Sequence, residues 1–267
     1  MIRRPISSLT RITLGILSVV CLLTCYSWLS HRQHIANPKD TTIPNWTQLT
    51  EGIKKSVTWN ERTEECWLTD DAKATVIRLF SGLGIAVVGA CVLGIGMGCL
   101  TPMEAFFHPP LSFLAKIPAT AVLAVFMALV GLGMEMYITM IVFGILPSMA
   151  ISVYQAVKEF PEELQYKAYT LGASHMEVIW TIIFPQVLPK LIDATRLMIG
   201  PAMVYLIAAE MLFGDVGFGY RIRIQSKLLS MNVVYPYLAL LAGFGFSMDY
   251  LLKIFQRKIS PWFEAHH

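Results

Sequence analysis

Apolar residues fall in six continuous runs, at about 12–30, 76–100, 111–131, 135–155, 191–213 and 232–252, with the polar residues gathered between them. A helix needs about 20 apolar residues to cross the roughly 30 Å hydrocarbon core of a bilayer, and the runs meet that length. A transmembrane barrel would show segments of about ten residues with alternating character, so the unbroken runs exclude it. The pattern predicts an all-α membrane protein of about six transmembrane helices.

Composition agrees: of 267 residues, 55% are hydrophobic and 15% charged, far from the balance of a water-soluble domain. The first run follows Arg3, Arg4 and Arg11, and no small-residue cleavage site closes it. It reads as an uncleaved anchor with its N-terminus inside. The chain then divides into residues 1–71, an anchor span and an extracytoplasmic segment; 72–260, the main transmembrane domain; and 261–267, a C-terminal tail. With six spans both termini are cytoplasmic. Lys158, Lys167, Lys190, Lys253, Arg257 and Lys258 then lie inside, but a similar number of basic residues falls outside, so charge bias leaves the topology to the N-terminal arginines. Within residues 31–72, Trp46, Leu49, Ile53 and Val57 share one helical face, as in a helix lying in the membrane interface and open to an external partner. The cysteines form no disulfide framework, and the net charge of +3 is scattered, without the basic patch that nucleic acid requires.

The second run carries small residues every four positions, Ala90, Gly94 and Gly98, a face that lets another helix approach closely in lipid. Pro118 and Pro147 should kink the third and fourth spans. In the fifth, Arg196 and Glu210 fall within about 40° of one another at about 100° per residue, and Gly200, Met203 and Ile207 fill the stripe between them. Charges inside a bilayer are costly and face a bundle interior or a wet cavity, so this stripe is a candidate translocation pathway. The competing reading has Arg196 reaching the headgroups, paired with Asp193 three residues earlier. Arg78, Arg196, Arg221 and Arg223 are candidate attractors for an anion, and snorkelling or loop solvation explains them equally well.

Between the fourth and fifth spans lies a polar, well-punctuated stretch. Pro161 sits at a first helical position with Glu162 and Glu163 in the first turn, where the helix dipole suits them. Gly172 ends that helix as a left-handed cap, and Ser174 with Glu177 forms a capping box that starts a second one. The second helix runs to Pro185 and Pro189, where the chain should bend into the fifth span. The result is a helix–turn–helix knob of about thirty residues, whereas connections in bundles usually take two to eight. His175 stands isolated, and the chain holds no HExxH, no Walker-type loop and no nucleophile–base pair. No catalytic residues and no metal ligands are expected, and the knob's role reads as mechanical.

The stretch "PEELQYKAYTLGASHMEVIWTIIFPQVLP" resembles the EAA signature of binding-protein-dependent ABC importer permeases. Ala168, Gly172, Ile182 and Pro185 fall on the pattern; Tyr166 and Lys167 replace its glutamate and first alanine, and Phe184 its leucine. "KIPATAVLAVFMALVGLG" and "AAEMLFGDVGFGY" look like segments of the nitrate, sulfonate, taurine and bicarbonate branch, and the likeness spans roughly residues 72–260. It implies a type I importer-like fold in a bacterial inner membrane, with the knob as a cytoplasmic coupling helix docked on a separate ATPase. It further implies two permease copies around the passage, an extracytoplasmic solute-binding protein, no cofactor on this chain, and ATP with Mg on the ATPase. The solute would be small, polar and anionic, moved by alternating access. A stand-alone secondary transporter or channel is the alternative; it would show internal repeats and broken midplane helices, and leaves the knob unexplained.

Overall fold

Helix boundaries follow from capping chemistry and from proline. In the computed structural model, which describes residues 7–37, 40–58 and 66–263, the helices are α1 (Ser8–Ala36), α2 (Trp46–Val57), α3 (Trp67–Cys99), α4 (Thr101–Leu114), α5 (Leu123–Val130), α6 (Met134–Lys158), α7 (Glu162–Thr170), α8 (His175–Glu177), α9 (Phe184–Phe213), α10 (Phe218–Lys227) and α11 (Met231–Ile259). No strand occurs among the described residues. Five of these stretches are long and apolar enough to cross a membrane, and a sixth is gained if one bent pair counts as a span.

That pair corrects the third expected span. Residues 111–131 are not one helix: Thr101–Leu114 and Ala119–Val130 meet at 84°. The break falls where Pro118, extended at φ −62° and ψ 117°, precedes a short 3₁₀ turn, because proline donates no hydrogen bond and disfavours helical geometry in the residue before it. Pro147, by contrast, lies inside an uninterrupted α6. At Pro185 and Pro189, where the sequence predicts a bend, the helix is not broken. The helical run continues for 39 residues from His175 to Phe213, with a π turn over Val178–Ile183 in which the Phe184 N–H reaches back to the Ile179 carbonyl. The ladder changes register just before Pro185, so the missing proline donor falls where the pairing is already shifting.

The chain forms two units. One comprises Met1–Trp67 and Ile224–Leu238. Here the Asn45–Gln48 capping box starts α2, the Tyr26 hydroxyl donates to the Pro44 carbonyl at 2.6 Å, and the Tyr26 ring stands edge-on to Trp46 and Tyr235. The face that α2 buries is small rather than apolar. Gly52 and Ser56 are its buried residues, and a Cβ at Gly52 would lie 1.9 Å from the Asn232 carbonyl oxygen. Trp46, Ile53 and Val57 stay exposed.

The other unit, Leu68–Arg223 with Ala239–His267, is built around α6, whose Met136, Met140, Ile141, Ile145, Met149 and Ala150 are completely buried. The small-residue face of α3 packs on it. A Cβ added at Gly94 would lie 2.5 Å from Val153 Cβ and 2.8 Å from the Ala150 carbonyl, and one at Gly98 would lie 2.5 Å from Val157 Cβ. Gly144 of α6 receives the Tyr205 ring of α9 in the same way. These glycines exchange side chains for backbone proximity, which is how helices gain dispersion contact where lipid removes the hydrophobic drive.

Candidate functional site

The knob is built as its punctuation predicts, with one shift: Pro161 is the N-cap of α7 and Glu162 its first residue. At the other end, Leu171 is the C-cap and Gly172 takes φ +89°. The Gly172 N–H donates to the Tyr169 carbonyl at 3.0 Å and the Ala173 N–H to the Ala168 carbonyl at 3.1 Å, the paired bonds of a Schellman turn. Two residues on, the Ser174 N–H donates to Glu177 Oε2 at 2.7 Å, and the Glu177 N–H to the Ser174 hydroxyl at 3.3 Å. His175 is not isolated: its Nδ1 lies 3.0 Å from the Tyr169 hydroxyl, across the turn. The N–H groups of Leu171, Gly172, Ala173 and Ser174 thus all have partners, and these bonds stiffen the corner.

Ala168 is buried beneath this corner, Ile182 and Pro185 are half-buried, and Glu162, Glu163, Tyr166, Lys167, Ser174 and Glu177 are exposed. So are large apolar residues: Leu171 at 88%, Tyr166 at 65% and Met176 at 62%. An apolar tip on a polar element marks an interaction surface. The knob's root is held to its neighbours: Lys158 pairs with Glu104 of α4 at 2.8 Å, and Lys190 of α9 pairs with Glu159 at 2.5 Å. The Lys190 hydrogen bond and its charge hold the Glu159 carboxyl below its ordinary range.

The fifth-run stripe divides in two. Arg196, Gly200, Met203 and Ile207 line an open cavity of about 760 Å³ between α9 and the later part of α11, whose side is formed by residues that include Leu241, Gly245, Phe246 and Asp249. Glu210 is not on this cavity. It is completely buried and accepts hydrogen bonds from Arg78 Nη1 at 2.9 Å, the Thr75 hydroxyl at 2.9 Å and the Gly219 N–H at 2.9 Å. Thr75 in turn accepts the Phe218 N–H at 3.0 Å. Asp71, equally buried, accepts the Gly217 N–H at 2.9 Å and pairs with Arg221 at 2.7 Å. The loop after α9 is therefore tied to α3 by two carboxylates. Its glycines are sterically required: a Cβ at Gly217, where φ is +122°, would lie 2.6 Å from the Glu210 carboxyl carbon, and one at Gly219 would lie 2.5 Å from the Ile207 carbonyl.

The four arginines considered for anion attraction are all engaged. Arg78 binds Glu210 and donates to the Val216 carbonyl at 2.7 Å beneath the Tyr137 ring. Arg221 binds Asp71. Arg223 donates to the Leu212 and Gly214 carbonyls, at 2.9 and 3.1 Å. Arg196 pairs with Asp193 at 3.0 Å, as sequence spacing allowed, and also in two-pronged fashion with Asp249, at 2.8 and 3.2 Å. Asp249, Asp71 and Thr75 carry no local sequence signal; their partners lie 53 to 150 residues away. Among the described residues no cluster suited to a metal ion occurs.

Residues 76–261 match the family described as the binding-protein-dependent transport system inner membrane component. The taurine transport system permease protein of Escherichia coli is 26% identical over 260 residues, which cover 97% of this chain and 92% of that protein. The nitrate import permease protein of a Synechocystis species is 27% identical over 171 residues, covering 61% and 62% respectively. Among solved structures, an inward-facing form of the MetNI methionine ABC transporter superposes with a TM-score of 0.56 at 20% identity, covering 69% of this chain and 94% of that one. Matched over most of its transmembrane length and carrying the capped knob and the glycine-rich loop, the chain belongs to the binding-protein-dependent transport system inner membrane components, the permeases of ABC importers.

Proposed function

We propose that the chain works as one half of a paired permease whose knob, residues 160–177, lies in the cytoplasm and docks on a separate ATPase that binds ATP and Mg. The observation that carries this reading is mechanical. A corner held by a Schellman turn and a capping box leads without interruption into a helical run of 39 residues, so displacement at the knob is delivered to the cavity-lining part of α9 rather than absorbed by a loop. ATP binding on the partner would bias inward and outward states through its different affinity for each. The knob-inside placement puts both termini in the cytoplasm, and residues 1–71 supply the anchor and an outer surface open to the solute-binding protein. The solute is small and bears an oxyanion group, by likeness to the taurine and nitrate permeases.

Tyr166 and Lys167 stand where the signature has glutamate and alanine, and both are exposed on α7. The ATPase that fits this chain then offers Lys167 an acid and Tyr166 an apolar or hydrogen-bonding seat. Replacing Tyr166 by Glu together with Lys167 by Ala should reduce co-purification of the native ATPase from co-expressing cells. Unchanged co-purification would place both positions off the contact.

A further inference from the structure

We propose that Arg196 and Asp249 form an ionic gate on the cavity between α9 and α11, one that must open in every transport cycle. The inference rests on the importer function of the chain and adds to it two residues that act on passage itself. Four observations carry it. The pair spans two helices with no other charged contact between them among the described residues, and both residues line the cavity. Its side chains are 15% and 44% exposed, so the two can separate without opening the packed core. The charge pair near the far end of α9, Glu210 with Arg78, has a completely buried carboxylate and is further held by Thr75 and Gly219, so that end of α9 stays fixed to α3. Between the two lie Gly200, where a Cβ would meet nothing within 4 Å, and Pro201, inside the helix. A helix that lacks a hydrogen bond at proline and carries an unpacked glycine beside it bends there first.

The cavity is otherwise apolar, so the pair also sets its electrostatics. Arg196 faces two carboxylates, Asp193 and Asp249, and in this state its charge is neutralised. When Asp249 moves away, Arg196 faces Asp193 alone, and the Nε and Nη2 donors that Asp249 held become available to an anionic solute only in the open state. Asp193 remains one helical turn behind Arg196 throughout, since both are on α9.

The test uses the assembled importer in proteoliposomes, with the five native cysteines replaced by serine and the chain carrying Arg196→Cys and Asp249→Cys. A short, reducible bis-thiol reagent then bridges the two positions within one chain. The gate predicts that bridging lowers ATP hydrolysis by about tenfold or more, as expected when a conformational step is blocked, and that reduction restores it. Full hydrolysis with bridging complete would overturn the proposal, because a merely structural contact can be locked without consequence. Should the cysteine pair assemble poorly, the charge-exchanged chain, Arg196→Asp with Asp249→Arg, decides independently. It retains an arginine beside carboxylates and should recover the solute dependence of hydrolysis that either single replacement loses while hydrolysis itself continues; no recovery would contradict the pairing. Failure of the ATPase to assemble with the unaltered chain is read before any bridging and counts against the docking surface instead.

Discussion

Glu210 and Arg196 lie on one helix and look alike in the sequence, yet their surroundings give them opposite duties. Removing one partner of a buried ion pair costs about 3–5 kcal/mol, because the other charge is left without compensation, whereas a solvated pair contributes about 0–1 kcal/mol. Glu210→Ala should therefore lower the thermal unfolding temperature of the detergent-solubilised protein sharply, while Asp249→Asn should hardly move it; equal shifts would contradict the assignment of fixed and mobile ends. Gly217→Ala should resemble Glu210→Ala, since its Cβ would strike the same carboxylate. The Glu159–Lys190 pair makes a pH prediction of definite sign. The folded carboxyl titrates below its ordinary range, so the contribution of the pair is complete above that range and disappears as pH falls through the lowered value. Glu159→Gln should lower stability slightly at neutral pH, flatten the acid limb of the profile and match the unaltered chain once pH falls below the lowered value. The intramembrane position of Glu210 was legible from the sequence; its partners were not. Arg78 is 132 residues away, and only the packing of α3 on α9 brings the two together.

Local chemistry was most legible where it acts over a few residues. The glycine stop, the capping box and the small-residue face of α3 all form where side-chain type and spacing placed them, because caps and close helix contacts depend on neighbours within one or two turns. Proline is where pattern and structure differ, in both directions: Pro118 breaks a span outright, and Pro185 and Pro189 leave theirs running. A helix interrupted at proline persists when neighbouring helices and a local π adjustment take up the freed groups, and those neighbours cannot be seen in a one-dimensional pattern. On α2 the buried stripe passes through Gly52 and Ser56, because close backbone approach to Asn232 was favoured over burial of Trp46, Ile53 and Val57. Two predictions belong at this scale. Gly172→Val should cost about 1–2 kcal/mol through its left-handed backbone and loosen the corner, reducing solute-dependent ATP hydrolysis more than protein yield. Gly94→Leu should instead reduce yield and stability, because it wedges α3 away from Val153 and Ala150; normal thermal stability in that variant would remove the close contact from the account.

For the molecule as a whole, the lever is the organising idea. Its root is clamped at Glu159 and Lys190, its far end is latched at Glu210, and its middle faces an apolar cavity through a glycine–proline step. The capped knob at its start is the place where force can enter. The knob-inside orientation proposed for the chain is checked by single-cysteine labelling in intact cells and in inverted vesicles. Reagent should reach a cysteine placed at Met176 only in the latter. The claim on which the rest depends is that the exposed tip of the knob is the seat of the ATPase, and Leu171, 88% exposed at the Schellman turn, is its most direct probe. Co-purification of the partner ATPase with Leu171→Asp, measured beside the unaltered chain at equal membrane content, should fall to background while the thermal stability of the permease is unchanged. An undiminished complex with that variant would contradict the account.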